Sequence, residues 1–254
     1  MNKILEVEKL NKVYETGKRN RQQVLRDIDI SITDGEFVSV MGASGSGKST
    51  LLYNVSGMDK ADSGSIKLCG EEISAMGEDV LAGLRLMKMG FIFQQSNLLK
   101  NLNMMDNIIY PAFAAKKDSR SNITDYAKKL MSQTGIFELS DNDITQASGG
   151  QLQRAAICRA LINKPIILFA DEPTGALNSK ATNEVMEILA DINANDTTIM
   201  LVTHDISVAA KTERILYMAD GVVAGEIILG KYQKNKDIKI RENKLSAWLS
   251  QKGF

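Results

Sequence analysis

The sequence of 254 residues has little cysteine or histidine, no excess of either charge and no long apolar run. Its two cysteines, Cys69 and Cys158, lie far apart and outside any metal-ligand spacing, which favours reduced thiols in a cytosolic protein. Thirty-one basic residues balance 31 acidic ones, so no bulk charge attracts the chain to nucleic acid. No stretch approaches the roughly 18 apolar residues that cross a bilayer. Any membrane role is therefore expected to come through a partner.

The pattern of apolar residues predicts a mixed α/β chain, either one large domain or a domain with a smaller lobe. Residues 5–9 and 27–32 alternate apolar with polar, as half-buried antiparallel strands do. Nearly continuous apolar runs, typical of strands covered on both faces, occupy residues 37–41, 166–170 and 198–203. Helical spacing at 48–55 and 179–193 supplies the crossover helices of a parallel sheet. From about residue 97 to 160 the pattern predicts a separate helical lobe.

A glycine-rich loop follows the first buried strand, and residues 42–49 read GASGSGKS. Glycines at this spacing let backbone N–H groups converge on a phosphate, while Lys48 reaches the outer phosphates and Ser49 can bind Mg²⁺. A Gly/Ser-rich connector is the alternative, but the strand before and the helix after the loop are the context that a phosphate loop requires. We therefore expect nucleotide contacts from Gly42, Ala43, Ser44, Gly45, Ser46, Gly47, Lys48, Ser49 and Thr50.

Polar side chains stand where other strands end. Asp171 and Glu172 are expected at the carboxyl edge of the sheet, where Asp171 can hold Mg²⁺ and Glu172 can polarise a water for attack on the γ-phosphate. An acidic N-cap of the next helix is the alternative, although Pro173-Thr174-Gly175 predicts a turn there. His204 ends another strand and is either a sensor of the γ-phosphate or a simple satisfied polar group. Gln94 is a second candidate sensor, whose oxygen can contact Mg²⁺ or the attacking water, or else a surface residue.

A second glycine-rich segment, Ser148-Gly149-Gly150-Gln151, opens a helix. Taken alone, it is a capped helix start. The alternative is a second anion site. One chain cannot easily fold its helical lobe over its own glycine loop, but two chains arranged head to tail can each cover the other's nucleotide. This alternative predicts a dimer with ATP between the subunits.

Together these segments resemble the ATP-binding subunit of an ATP-binding cassette (ABC) transporter. GASGSGKST is similar to the Walker A loop, ASGGQLQR to the cassette signature, IILFADE to Walker B and His204 to the switch histidine, in the family's order between about residues 3 and 229. The resemblance implies a P-loop NTPase: a RecA-like parallel sheet core with an antiparallel β subdomain and an inserted α-helical subdomain. It implies an ATP-binding domain at 1–230, a tail at 231–254, and ATP and Mg²⁺ as cofactors of ATP hydrolysis.

By matching position, the resemblance assigns roles to individual residues. Tyr14 would stack on adenine, and Ala176-Leu177-Asn178 would form the D-loop. Glu172 would be the general base, and His204, Gln94 and Lys48 would also take part in catalysis. The metal ion would be bound by Ser49, Gln94 and Asp171. Further nucleotide contacts would come from Ser148, Gly149, Gly150 and Gln151. Two positions depart from the family's pattern. Ala147 replaces a common Leu, a packing change, and Asn178 replaces a common Asp, which removes a charge at the dimer seam and puts the coupling of the two sites in doubt.

Other segments resemble the group of macrolide exporters, lipoprotein-release ATPases and bacitracin-type peptide-resistance transporters; they lie at 57–64, 90–99, 110–112 and 171–178. In that group the ATPase is a separate chain docked beneath a permease. The tail at 241–249 predicts a short amphipathic helix similar to the peptide-resistance branch, or else a solvated, partly disordered end. The expected partners are a second copy and a permease at the cytoplasmic membrane face, with no nucleic acid.

Two other classes stay open at this point. A soluble ABC ATPase acting on DNA or ribosomes would keep all these motifs, although such proteins usually carry two cassettes or long coiled insertions. A nucleotide or small-molecule kinase would share the glycine loop, but it has no use for the signature segment or for His204.

Overall fold

The computed structural model describes residues 2–16, 20–234 and 236–253. Its strands are β1 (Lys3–Thr16), β2 (Asn20–Thr33), β3 (Phe37–Met41), β4 (Ser63–Leu68), β5 (Glu71–Glu72), β6 (Met89–Phe93), β7 (Ile167–Asp171), β8 (Thr198–Val202), β9 (Arg214–Ala219) and β10 (Val222–Ile228). Its α-helices are α1 (Lys48–Val55), α2 (Glu78–Lys88), α3 (Met104–Ala115), α4 (Arg120–Gln133), α5 (Gly149–Leu161), α6 (Ser179–Ala194), α7 (Ile206–Ala209) and α8 (Ile238–Gln251).

A parallel sheet forms the centre of the molecule. Its strand order is β10-β9-β3-β8-β7-β6, with β10 alone antiparallel to its neighbour. Every residue of β3 and β8 is buried, as their continuous apolar sequences predict. Because the strands run in the same direction, the carboxyl ends of β3, β7 and β8 meet at one edge, and the predicted α/β fold is confirmed.

The second sheet is antiparallel, in the order β2-β1-β4-β5. Its first two strands are longer than the alternating segments at 5–9 and 27–32 predict. The extension has a physical reason: Lys9 and Asp27 have positive φ angles of 47° and 43°, and the register shifts there, so the alternation of apolar residues is interrupted. Beyond these bulges Leu10, Lys12 and Leu25 are still buried, whereas the paired residues at 14–15 and 21–23 are exposed and give no alternation of burial.

Three helices, α3, α4 and α5, pack together beside the sheet. Their buried apolar residues belong to the same cluster as Leu168 of β7 and Leu201 of β8, so the lobe and the sheet share one core. Helix α2 was not predicted; it has no fully buried residue, but Leu81 and Leu84 pack partly buried against the core. Residues 94–103 contain no helix, so the helices of the lobe begin later than the predicted start at about 97.

The C-terminal helix α8 packs against β9. Leu245 and Leu249 are buried beside Ile215, and the Trp248 ring meets the Tyr217 ring edge-on at 6.2 Å. Of the described residues, none lies in a helix that combines the length and the apolar character needed to cross a membrane.

Candidate active site

The glycine loop connects β3 to α1 and takes a shape that side chains would prevent. A Cβ atom on Gly42 would lie 2.2 Å from the carbonyl oxygen of Met218. Gly47 has φ = 99°, and a Cβ there would lie 2.9 Å from the carbonyl oxygen of Val24. The Ser46 side chain is buried, and its Oγ has no hydrogen-bond partner among the described residues. A buried hydroxyl beside the N-terminus of α1 fits an anion such as a phosphate.

A cavity of about 730 Å³ opens above this loop. Eight of the nine predicted loop residues line it, all except Ser46, together with Gln22, Val24, Glu172 and His204. The Lys48 side chain is buried, and its Nζ donates to the carbonyl oxygens of Gly42 at 2.9 Å and Ala43 at 2.8 Å. Burial lowers the pKa of Lys48, while the nearby carboxylates of Glu172 and Asp171 oppose that shift. The ammonium group is therefore held where it can donate to a phosphate oxygen.

Asp171, the last residue of β7, lies next to α1. Its Oδ1 accepts a hydrogen bond from Ser49 Oγ at 2.8 Å, and its Oδ2 accepts one from the Tyr53 hydroxyl at 2.7 Å. Burial, together with this bond to the carboxylate, raises the pKa of Tyr53 to about 12. A hydroxyl and a carboxylate oxygen at this separation are the hard donors that Mg²⁺ prefers. Sequence reasoning missed Tyr53, although its position four residues after Ser49 places both on one face of a helix.

Glu172 and His204 meet at the mouth of the cavity, where Nδ1 of His204 lies 3.1 Å from Oε1 of Glu172. Glu172 has φ = 46°, a strained value that is concentrated at functional sites. The backbone then turns, and the N–H of Gly175 donates to the carbonyl of Glu172 at 3.0 Å. The next helix, α6, is capped by Asn178, whose side chain accepts from the N–H of Ala181. The alternative of Glu172 as an N-cap is therefore wrong.

Tyr14 and Gln94, two of the predicted site residues, do not line this cavity. The Tyr14 hydroxyl, on β1, donates to Oδ2 of Asp59 at 2.5 Å. Burial is the main cause that raises the pKa of Tyr14 to about 12, and the bond to Asp59 adds to it. Gln94 follows β6, and its side chain covers Gly175: a Cβ on that glycine would lie 2.9 Å from Nε2 of Gln94. Gln94 therefore lies against the turn that follows Glu172.

The segment at 148–151 forms a capping box at the start of α5. The N–H of Gln151 donates to Oγ of Ser148 at 3.4 Å, and the N–H of Ser148 donates to Oε1 of Gln151 at 2.8 Å. Ser148 and Gly149 are exposed and do not line the cavity of their own chain. Most of the predicted site residues thus lie on two separate surfaces. The glycine loop, Glu172 and His204 line the cavity, whereas residues 148–151 form the exposed start of α5.

The sequence profile of the ABC transporter family matches residues 25–175. The chain belongs to the ABC transporter family. This ATPase is 43% identical over 228 residues to the bacitracin export ATP-binding protein BceA of Halalkalibacterium halodurans, covering 89% of each chain. It is 41% identical over 232 residues to the ABC transporter ATP-binding protein YxdL of Bacillus subtilis, covering 91% of this chain and 89% of that one. It also matches the macrolide export ATP-binding/permease protein MacB of Chlorobaculum tepidum, but over only 34% of that protein's length.

Solved structures agree with this assignment. The dimeric ABC transporter cassette MJ0796 superposes with a TM-score of 0.83 at 36% identity, covering 90% of this chain and 100% of that one. A second MJ0796 dimer, in a post-hydrolysis state with ADP and Pi, gives a TM-score of 0.82 at 35% identity. The P-loop fold, ATP binding and ATP hydrolysis expected from the sequence are confirmed, and family membership excludes the kinase alternative.

Proposed function

We propose that two copies of this ATPase close head to tail around two ATP molecules and thereby drive a separate permease at the cytoplasmic face of the membrane. The observation that carries the proposal is the separation of the site into two surfaces. The cavity holds Lys48, Glu172 and His204, whereas the start of α5 is exposed and lies outside it. A second copy can bring its own Ser148-Gly149-Gly150-Gln151 segment to that cavity. The MJ0796 structures, which share this fold, are dimers.

Within each cavity the residues fit ATP with Mg²⁺. The backbone of the glycine loop and Lys48 would hold the phosphates, while Ser49 and Asp171, with Gln94 from the neighbouring segment, would hold the metal ion. Mg²⁺ bound there would neutralise charge on the β- and γ-phosphate oxygens. Tyr14, on the adjacent antiparallel sheet, would pack against adenine once its ring is freed from the contact with Lys12, whose Nζ lies 4.9 Å from the ring centroid.

Hydrolysis follows from the positions of Glu172 and His204. The Glu172 carboxylate would orient and deprotonate the attacking water, a step that contributes a factor of about 10² to 10⁴. His204 lies 3.1 Å from that carboxylate, so it can hold Glu172 in place and contact the γ-phosphate from the same position. Lys48 and the second copy's helix start would stabilise the charge that develops on the phosphate oxygens.

Contacts of α5 connect this chemistry to the helical lobe. Gln153 donates to the carbonyl oxygen of Phe93 at 2.8 Å, immediately before Gln94. Arg159 donates to the carbonyls of Ser96 and Asn97, each at 2.7 Å, just after it. A displacement of α5 on dimer closure must therefore move the segment around Gln94. We propose that this segment transmits the motion to the permease.

The branch of the family suggests the cargo. BceA, a relative of nearly the same length, is a bacitracin export protein, whereas the aligned part of MacB is about a third of a protein that includes its own permease. We propose that this ATPase serves antimicrobial-peptide resistance or the export of peptides or lipids. The boundary at residue 230, between the ATP-binding domain and the tail, is part of the same proposal. Residues 1, 17–19, 235 and 254 of that division lie outside the described ones.

The test of the mechanism is Glu172→Gln. The variant is expected to bind ATP as the wild type does and to form ATP-dependent dimers, because the amide keeps the side-chain shape. Its turnover is expected to fall by at least about 10² because the base is lost. Binding is measured by titration of a fluorescent ATP analogue, association by light scattering, and hydrolysis by phosphate release. Glu138→Gln, an exposed change in the helical lobe, is the matched control.

Undiminished hydrolysis by Glu172→Gln would refute the role of Glu172. An ATP-loaded Glu172→Gln chain that stays monomeric would refute the sandwich. The transport role has its own test, in which the ATPase is purified from membranes with a co-expressed permease and challenged with bacitracin. Stimulated hydrolysis supports the transporter function, whereas hydrolysis indifferent to permease and peptide favours a soluble ABC ATPase.

A further inference from the structure

Tyr53 is an aromatic residue at the predicted metal site for which the proposed mechanism has no role. Its hydroxyl donates to Oδ2 of Asp171 at 2.7 Å, while Ser49 donates to Oδ1 of the same carboxylate at 2.8 Å. Ser49 and Tyr53 are four residues apart on α1, so they reach Asp171 from one helix face. Each carboxylate oxygen is thus bonded to a different residue of a single rigid helix.

The position of Tyr53 is itself fixed. Its ring is partly buried against the apolar cluster that includes Leu52 and Phe169. Its carbonyl oxygen accepts from the N–H of Met58 at 2.8 Å and of Asp59 at 3.0 Å, just beyond the end of α1. The backbone of Tyr53 is thus fixed at the end of α1, and the packing of its ring limits where the hydroxyl can lie.

These contacts restrict the carboxylate. A carboxylate bonded through one oxygen can rotate about the bond that carries it, whereas bonds to both oxygens fix its plane. Mg²⁺ demands near-ideal octahedral geometry, so a carboxylate whose plane is already set loses less freedom when it contacts the ion or its water ligands. Residues that hydrogen-bond a metal-binding carboxylate typically change metal affinity 10- to 100-fold when removed.

We propose that Tyr53 is a positioning residue for Mg²⁺: it holds Oδ2 of Asp171 so that Oδ1 and Ser49 face the metal together. The proposal rests on the proposed assignment of Ser49 and Asp171 to the metal site. It concerns the affinity of the nucleotide site for Mg²⁺ and leaves the recognition of the nucleotide itself to the glycine loop.

The test is Tyr53→Phe in the full chain, which keeps the ring and removes only the hydroxyl. A fluorescent, non-hydrolysable ATP analogue is titrated at a series of Mg²⁺ concentrations and again in EDTA. The Mg²⁺ concentration for half-maximal tightening of binding is expected to rise about tenfold. Affinity in EDTA is expected to stay within about twofold of the wild type, because the hydroxyl would not contact the nucleotide.

The matched control is Tyr232→Phe. It removes a bond of the same kind, from a tyrosine hydroxyl to Oε1 of Glu187 at 2.9 Å, far along the chain from Asp171. Its Mg²⁺ midpoint should equal that of the wild type. Asp171→Asn serves as the reference for loss of the metal-binding carboxylate and should raise the midpoint at least as much as Tyr53→Phe.

The outcomes distinguish a failure of the role of Tyr53 from a failure of the proposed metal site. A Tyr53→Phe midpoint equal to the wild type, while Asp171→Asn shifts it, would overturn the role of Tyr53 and leave the proposed function intact. Equal weakening in EDTA and in Mg²⁺ would make Tyr53 a purely structural residue and would also overturn the inference. If neither Tyr53→Phe nor Asp171→Asn shifts the midpoint, the metal assignment in the proposed function fails and this inference fails with it.

Discussion

Gly149→Ala offers a sharp separation of folding from dimer function. A Cβ on Gly149 would lie 3.6 Å from Cδ2 of Leu177, an ordinary van der Waals distance, and its backbone is helical. The monomer therefore accepts the methyl group. Alanine is favoured over glycine within a helix by about 0.5–1 kcal/mol, and the first turn should give the lower end of that range. We expect stability to rise by about 0.5 kcal/mol, or roughly 1–2 °C in Tm.

The rate of ATP hydrolysis should fall in Gly149→Ala, although stability rises. In the proposed dimer the start of α5 meets the γ-phosphate in the second copy's cavity, and the new methyl group would stand between the two. Loss of one hydrogen bond to a charged group costs about 2 kcal/mol, so kcat/KM should fall about 30-fold. Binding of ATP to the monomer should not change, because Gly149 does not line its own cavity.

The assays are thermal unfolding, titration with a fluorescent ATP analogue, and phosphate release. Gly83→Ala is the matched control: it lies within α2, and a Cβ there would meet no atom within 4 Å. It should stabilise the chain by about 1 kcal/mol and leave hydrolysis unchanged. Wild-type hydrolysis by Gly149→Ala would refute contact between this helix start and phosphate. Parallel losses of stability, binding and hydrolysis would mean that Gly149 has only a structural role.

Two further predictions concern the fold. Arg241→Met should lower the free energy of unfolding by about 2 kcal/mol in urea, because the guanidinium donates to four backbone carbonyls that join α8 to the core. The control, Arg21→Met, removes an exposed ion pair and should change the free energy of unfolding by less than about 0.5 kcal/mol. A destabilisation no larger than that of the control would contradict the role of Arg241. In thiol labelling of the native protein Cys69 should react and Cys158 should not, because Cys158 is fully buried and burial raises its pKa to about 12. Rapid labelling of both thiols before unfolding would show that the core of the helical lobe opens readily.

The sequence predicted the elements whose signals are local. Nearly continuous apolar runs identified β3, β7 and β8, because a strand that is covered on both faces is apolar at successive positions. Asp171 and His204 lie at or just after the carboxyl ends of two of these strands, so both were expected at one edge of the sheet. The glycine loop was readable because its shape depends on glycines within a few residues. Helix α2 was not predicted, although Leu81 and Leu84 lie on one helix face and pack partly buried against the core. The outer parts of β1 and β2 were not predicted because residues 14–15 and 21–23 are exposed and give no alternation of burial.

The sequence alone was thus sufficient to predict the family, the parallel sheet and the phosphate loop. These features depend on glycine positions and on patterns of apolar residues within short segments of the chain. Tertiary structure alone decided that Tyr53 bonds Asp171, which is 118 residues away, and that Glu172 takes a left-handed backbone. It also decided that Gln94 covers Gly175 and that the start of α5 stands apart from its own cavity. Such contacts depend on how separate elements pack, and the spacing of residues along one element holds no information about its distant neighbours.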